Sequence, residues 1–254
     1  MKLATVLSVF GIFLALAAAA QDPKDPPSAS ATTGQKDQLV PSPFRAYIVV
    51  DDRFPPKVAG SPKAEDRDPK NRTDKMHCLV CEHGLNPVVA VFVRVDDAKK
   101  ITPATGVGKL AIEMNKLMTQ PEYRGAKLAG FTIFLRLEGL TKSVTVINPD
   151  KSQTVVELDA EYPDDEKRDD YARDIRDVAG DIKAPNVVFG LAPLKSKSAA
   201  AWGIADDDEV TVVVFNRIRV LNRWKFKVEA GPSDDEVKQI IGTVEESITG
   251  VKKP

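Results

Sequence analysis

Three uninterrupted apolar runs constrain this chain more than any other feature: Pro87–Arg94 (PVVAVFVR), Leu128–Leu135 (LAGFTIFL) and Asn186–Ala192 (NVVFGLA). A strand that is apolar at every position must be covered on both faces, and such strands occur inside parallel sheets. Helical patterns separate the runs. Val107, Leu110, Ala111, Met114, Leu117 and Met118 recur at helical spacing, and Pro121 ends that helix or starts a new turn. Tyr171, Ile175, Val178 and Ile182 form one face of a charged helix over 165–182, whose other residues read as a solvated surface with i,i+4 pairs. Alternating strands and helices predict an α/β fold with right-handed crossovers.

The remaining elements fit around that frame. Phe44–Val50 is a predicted strand, and Ser143–Ile147 and Thr154–Leu158 form a hairpin around the turn cluster 148–152. Ser198–Trp202 reads as a short helix ending at Gly203. Val210–Phe215 and Val220–Val228 form a hairpin across Asn216-Arg217, which makes the sheet mixed. Ser233 to Glu236 is a capping box opening a last helix, with Val237, Ile240, Ile241, Val244 and Ile248 facing in. Trp202 and Trp224 read as core or rim residues.

Composition narrows the class. Of 254 residues, 29% are charged and 43% hydrophobic, and the net charge is -1. That balance is globular, and it argues against a disordered chain and against a nucleic-acid partner. Lys2 followed by the apolar run 4–20 reads as a signal peptide cut after Ala20, so no stable membrane span is expected after cleavage and the location is secreted or periplasmic. Residues 21–38 read as a flexible linker and 39–250 as one folded domain. Residues 53–75 read as a long exposed loop carrying the glycosylation sequon Asn71-Arg72-Thr73.

The element order resembles the thioredoxin-like superfamily, in particular its peroxiredoxin-type branch. The passage Ala199-Ala200-Ala201-Trp202-Gly203-Ile204, followed by the strand Val210–Phe215, is similar to that family's helix, aromatic-Gly-Ile, strand passage. The resemblance implies a three-layer fold, a mixed central sheet flanked by helices, with an N-terminal hairpin extension. It also implies a reactive cysteine after the first central strand, where a helix dipole stabilises a thiolate. This sequence departs there: 95–110 contains no cysteine, although Ile101-Thr102-Pro103-Ala104-Thr105 has some likeness to a peroxidase loop. Asp206-Asp207-Asp208-Glu209 stands where the family has a cis-proline.

The two cysteines and two histidines of the chain all lie within His77-Cys78-Leu79-Val80-Cys81-Glu82-His83. Three readings fit. Cys78 and Cys81 form a structural disulfide, which requires a turn at Leu79-Val80, because three residues of straight strand hold alpha carbons about 10 Å apart. Alternatively they are a redox pair, catalytic toward a protein thiol or disulfide partner, with His77 and His83 tuning the thiols. The third reading is a zinc or copper site with His77, Cys78, Cys81 and His83 as ligands. No other cofactor is expected. The leading expectation is thiol–disulfide chemistry at this displaced motif; the alternative is a non-enzymatic binding or scaffold module.

Overall fold

The computed structural model describes residues 38–55, 68–137, 142–158, 165–193, 196–204, 208–226 and 231–250. The expected signal peptide (1–20) and nearly all of the expected linker (21–38) lie outside them, as do Asp206, Asp207, Lys227 and Val228.

The chain runs β1 (Arg45–Val50), β2 (Lys75–Cys78), α1 (Leu79–His83), β3 (Val88–Val93), a 3₁₀ turn at 98–100 and α2 (Gly106–Thr119). It continues through α3 (Pro121–Gly125), β4 (Ala129–Leu137), β5 (Lys142–Ile147), β6 (Gln153–Leu158), α4 (Asp165–Ile182) and β7 (Val187–Pro193). The last elements are α5 (Lys197–Ala201), β8 (Val210–Asn216), β9 (Arg219–Phe226) and α6 (Asp234–Thr249).

Seven strands form one mixed sheet in the order β2-β1-β7-β4-β3-β8-β9. β4 is parallel to β3 and β7, while β1, β2, β8 and β9 are added antiparallel. Strands β3, α2 and β4 make a β-α-β unit, and β8, β9 and α6 a β-β-α unit. Their joined order β4-β3-β8-β9 is the thioredoxin-like arrangement, and the antiparallel pair β1–β2 is the expected N-terminal hairpin extension. β5 and β6 pair only with each other as a separate two-stranded sheet.

Strand alternation divides the core in two. Val89, Val91 and Val93 of β3 pack on one face with Leu110 and Met114 of α2, Ile175 and Val178 of α4, and Val237, Ile240 and Val244 of α6. Val88, Ala90 and Phe92 pack on the other with Phe44, Leu79, Val80, Phe131, Ala199 and Trp202. All six residues of β3 and all seven of β7 are buried, as their unbroken apolar runs require. On the second face Trp202 lies among Phe44, Phe92 and Phe215 at centroid distances of 5.4–6.2 Å, and its indole N–H donates to Ser42 O at 2.9 Å.

Local signals set the ends. Ser233 and Glu236 form both arms of the capping box of α6, and Gly203 closes the passage after α5 at φ 63°. Two expectations are corrected. Asn216 pairs with Arg219, so the β8–β9 turn residues are Arg217 and Ile218, one place later than Asn216-Arg217. The sequon is not part of an exposed loop. Asn71 is 6% exposed, and its side-chain amide donates to Asp51 O at 2.9 Å and Phe54 O at 2.8 Å. A short polar motif carries no information about burial, and here the amide satisfies two backbone carbonyls. Among the described residues no helix is long and apolar enough to cross a membrane.

Candidate functional site

Cys78 ends the edge strand β2, and the chain then turns at once into α1. That turn brings the two alpha carbons to 5.2 Å, and Cys78 and Cys81 are joined as a disulfide. Cys78 is the N-cap of α1: its Sγ accepts from the Cys81 amide at 3.1 Å. Leu79 and Val80 point into the core at 2% and 5% exposure, which holds the bridge at the surface. Cys78 is half-buried and Cys81 exposed.

Beside the disulfide lies a charge network that the sequence did not announce. Asp51, just past β1, is fully buried, and Arg53 meets it side-on through Nε to Oδ1 at 2.7 Å and Nη2 to Oδ2 at 3.0 Å. The Arg72 amide adds a longer contact to Asp51 Oδ2 at 3.3 Å, and Thr73 Oγ1 accepts from the Asp51 amide at 3.1 Å. The far edge of the guanidinium meets α1: Arg53 Nη1 is 2.7 Å from His83 Nε2, and Nη2 is 3.6 Å from Glu82 Oε1. Glu82 in turn lies 2.6 Å from His77 Nε2 and 3.4 Å from His83 Nε2.

These contacts fix a proton. Arginine has no acceptor, so His83 Nε2 accepts from Arg53 and the neutral ring carries its hydrogen on Nδ1. Burial is the largest cause pushing the His83 pKa down, to about 4; Glu82 opposes that shift, and Arg53 adds to it. The result is a chain of contacts, Asp51–Arg53–Glu82–His77, with neutral His83 wedged beside it.

The structure therefore brings together all four residues expected from sequence, and adds Asp51, Arg53 and Glu82. It does not arrange them as metal ligands. Both sulfurs are in the disulfide, the Nε2 atoms of the two histidines bond Arg53 and Glu82, and among the described residues no group of three or more His, Cys, Asp or Glu is placed to hold a metal ion.

Past the C-terminal end of β3, Thr105 caps α2. Its hydroxyl accepts from the Gly108 amide at 3.3 Å and donates to Thr102 O at 2.7 Å. A hydroxyl thus occupies the helix start where the resemblance implies a cysteine. Of the acidic stretch 206–209, Asp208 and Glu209 are described; Asp208 pairs with Lys225 at 2.9 Å, and Glu209 O accepts from the Arg94 amide at 2.6 Å.

No protein-family model matches the chain, and no curated protein matches it. Solved structures similar to it include an uncharacterized conserved protein from Geobacillus kaustophilus, at 12% identity over 91% of this chain and 90% of that one, with a TM-score of 0.49. Another is AhpC of Mycobacterium tuberculosis, at 11% identity over 84% and 92% of the two chains, TM-score 0.46. A third is described as the thiol:disulfide interchange protein DsbE of Chlorobium tepidum, at 12% identity over 85% and 99%, TM-score 0.41. The class is thioredoxin-like α/β, as the joined β-α-β and β-β-α units define it. The β1–β2 hairpin and β7 are added to those units beyond β4, on one side of the sheet.

Proposed function

We propose that this chain is an exported protein that exchanges disulfides with protein thiols through Cys78 and Cys81. The observation that carries the reading is the exposed Cys81, bridged to a Cys78 sulfur that already accepts a backbone N–H at a helix N-cap. That arrangement prepares Cys78 to leave as a thiolate.

The step follows from the geometry. A partner thiolate attacks Cys81 Sγ, the S–S bond breaks, and its electron pair goes to Cys78 Sγ, held by the Cys81 amide. A second thiol of the partner, deprotonated to water, attacks the partner's own sulfur in the mixed disulfide. The electron pair then leaves on Cys81 Sγ. The partner departs oxidised and the chain is left as a dithiol; a more oxidising disulfide reverses both steps. Arg53 and Glu82 place charge beside α1, and the two histidines hold them there by hydrogen bonds. Export is supported by the positive start and apolar run of 2–20, and it places the chain where disulfides persist.

A purely structural disulfide is favoured by one observation, the buried pair Leu79-Val80 that the bridge pins into the core. Equilibration with glutathione buffers and alkylation of free thiols separates the two. Exchange predicts a potential between about -120 and -270 mV, and a structural bridge one below about -300 mV. The latter result would end the exchange reading.

A further inference from the structure

Five large apolar side chains are exposed among the described residues, and three of them stand on segments joined at the end of α1: Leu39 at 58%, Leu85 at 77% and Ile218 at 40%. Leu85 follows α1, four residues beyond Cys81, on a turn closed by the Asn86 amide donating to His83 O at 2.8 Å. The Ile218 amide donates to Gly84 O at 2.6 Å, and Ile218 O accepts from the Val40 amide at 2.8 Å. Leu39 bridges Arg219 in antiparallel pairing. Backbone hydrogen bonds therefore tie the N-terminal segment, the β8–β9 turn and the end of α1 into one surface.

The turn that carries Ile218 breaks the rules of its type. Arg217 has φ 50° and Ile218 φ 57°. A two-residue hairpin with both positions left-handed favours Asn-Gly or Asp-Gly, and a β-branched residue there is a steric outlier. Stability alone would not select an isoleucine that is both strained and exposed. Such outliers persist where the strain serves a site. Arg217 and Arg219, both exposed, flank Ile218 with positive charge.

We infer that Leu85, Ile218 and Leu39 form the docking surface for an extended polypeptide whose cysteine reaches Cys81. This occupant carries apolar side chains next to its cysteine and acidic residues beyond them, opposite Arg217. A stable dimer needs about 800 Å² per partner over some 20–30 residues, and three apolar side chains do not supply that. The inference rests on the exchange reading above and names its substrate class.

The test compares two reductants of the intact chain: glutathione, and a short peptide with one cysteine between leucines and glutamates at both ends. The wild type reacts with the peptide faster than with glutathione. In Leu85→Ser and in Ile218→Asn the ratio of the two rate constants falls by about tenfold, the loss expected for one apolar anchor. Asn tolerates the left-handed turn, so the thermal midpoint of Ile218→Asn does not fall below that of the wild type, and lost rate cannot be lost folding. An unchanged ratio in both variants overturns the proposal. A dimer that Leu85→Ser dissociates also overturns it, because the surface then belongs to a second copy. If glutathione fails to reduce the bridge, the exchange reading falls alone. Docking is then read from fluorescence titration of the same peptide with serine for cysteine. Binding weakened in both variants supports the surface, and equal binding overturns it.

Discussion

Acid should destabilise this protein through one buried imidazole. His83 is 12% exposed at its side chain and lies against the Arg53 guanidinium, where a second proton would set donor against donor. Burial first, with Arg53 adding to it, holds the folded-state pKa at about 4, against an ordinary 6.5. The unfolded chain regains the ordinary value, so between those two pH values the unfolded state binds the extra proton. Stability from this group is complete above pH 6.5, declines as the pH falls, and levels off below 4. At 1.36 kcal/mol per pK unit, the total is about 3 kcal/mol. Urea unfolding of the wild type and His83→Gln, stepped from neutral pH to about pH 4, isolates it. Glutamine keeps an acceptor for Arg53 and does not titrate, while carboxylate contributions common to both proteins cancel. The stability difference between the two should shrink by about 3 kcal/mol across the window. Parallel curves, within about 0.5 kcal/mol, would refute a neutral His83 bonded to Arg53.

Other perturbations have expected outcomes of their own. Arg53→Met removes the two shortest hydrogen bonds to the fully buried Asp51 carboxylate and should cost about 3–5 kcal/mol by urea midpoint at constant slope, whereas Asp51→Leu with Arg53→Met should recover most of that. Gly106→Ala puts a Cβ 2.1 Å from Pro232 O, and calorimetry should show a loss of about 1–3 kcal/mol as α2 is forced off the 231–232 turn. Ser233→Ala removes one arm of the capping box and should cost about 1 kcal/mol by thermal unfolding. Expressed in a glycosylating host, the chain should show no glycosidase-sensitive mass at Asn71, because that amide is spent on two carbonyls.

Sequence patterning carried most of the scaffold. The unbroken run at β3 reads as a strand covered twice and is buried at all six positions, and Ser233 with Glu236 reads as a helix start and forms one. The disulfide's need for a turn at Leu79-Val80 was equally legible, since strand geometry forbids the alternative. The charge network was not. Asp51 and Arg53 stand beside a polar loop, where charges ordinarily face water, and Arg53 meets His83 across thirty positions of sequence. No local rule reports such a contact. The turn at Arg217-Ile218 was misplaced by one residue for a related reason: turn chemistry favours Asn216, and the register of β8 against β9 overrides it.

The place of β1 in the sheet has a consequence for how the chain is built. Tyr47 pairs with Leu191, so β1 can join β2 early but cannot join β7 until most of the chain has followed. During vectorial synthesis β1, β2 and α1 wait outside the seven-stranded sheet, while pairings of long sequence separation form last. The Cys78–Cys81 bond spans a sequence separation of three and needs no sheet to close. It can therefore form in the nascent chain, so that the site's oxidation state is set by the compartment the segment first enters and is then carried into the finished fold.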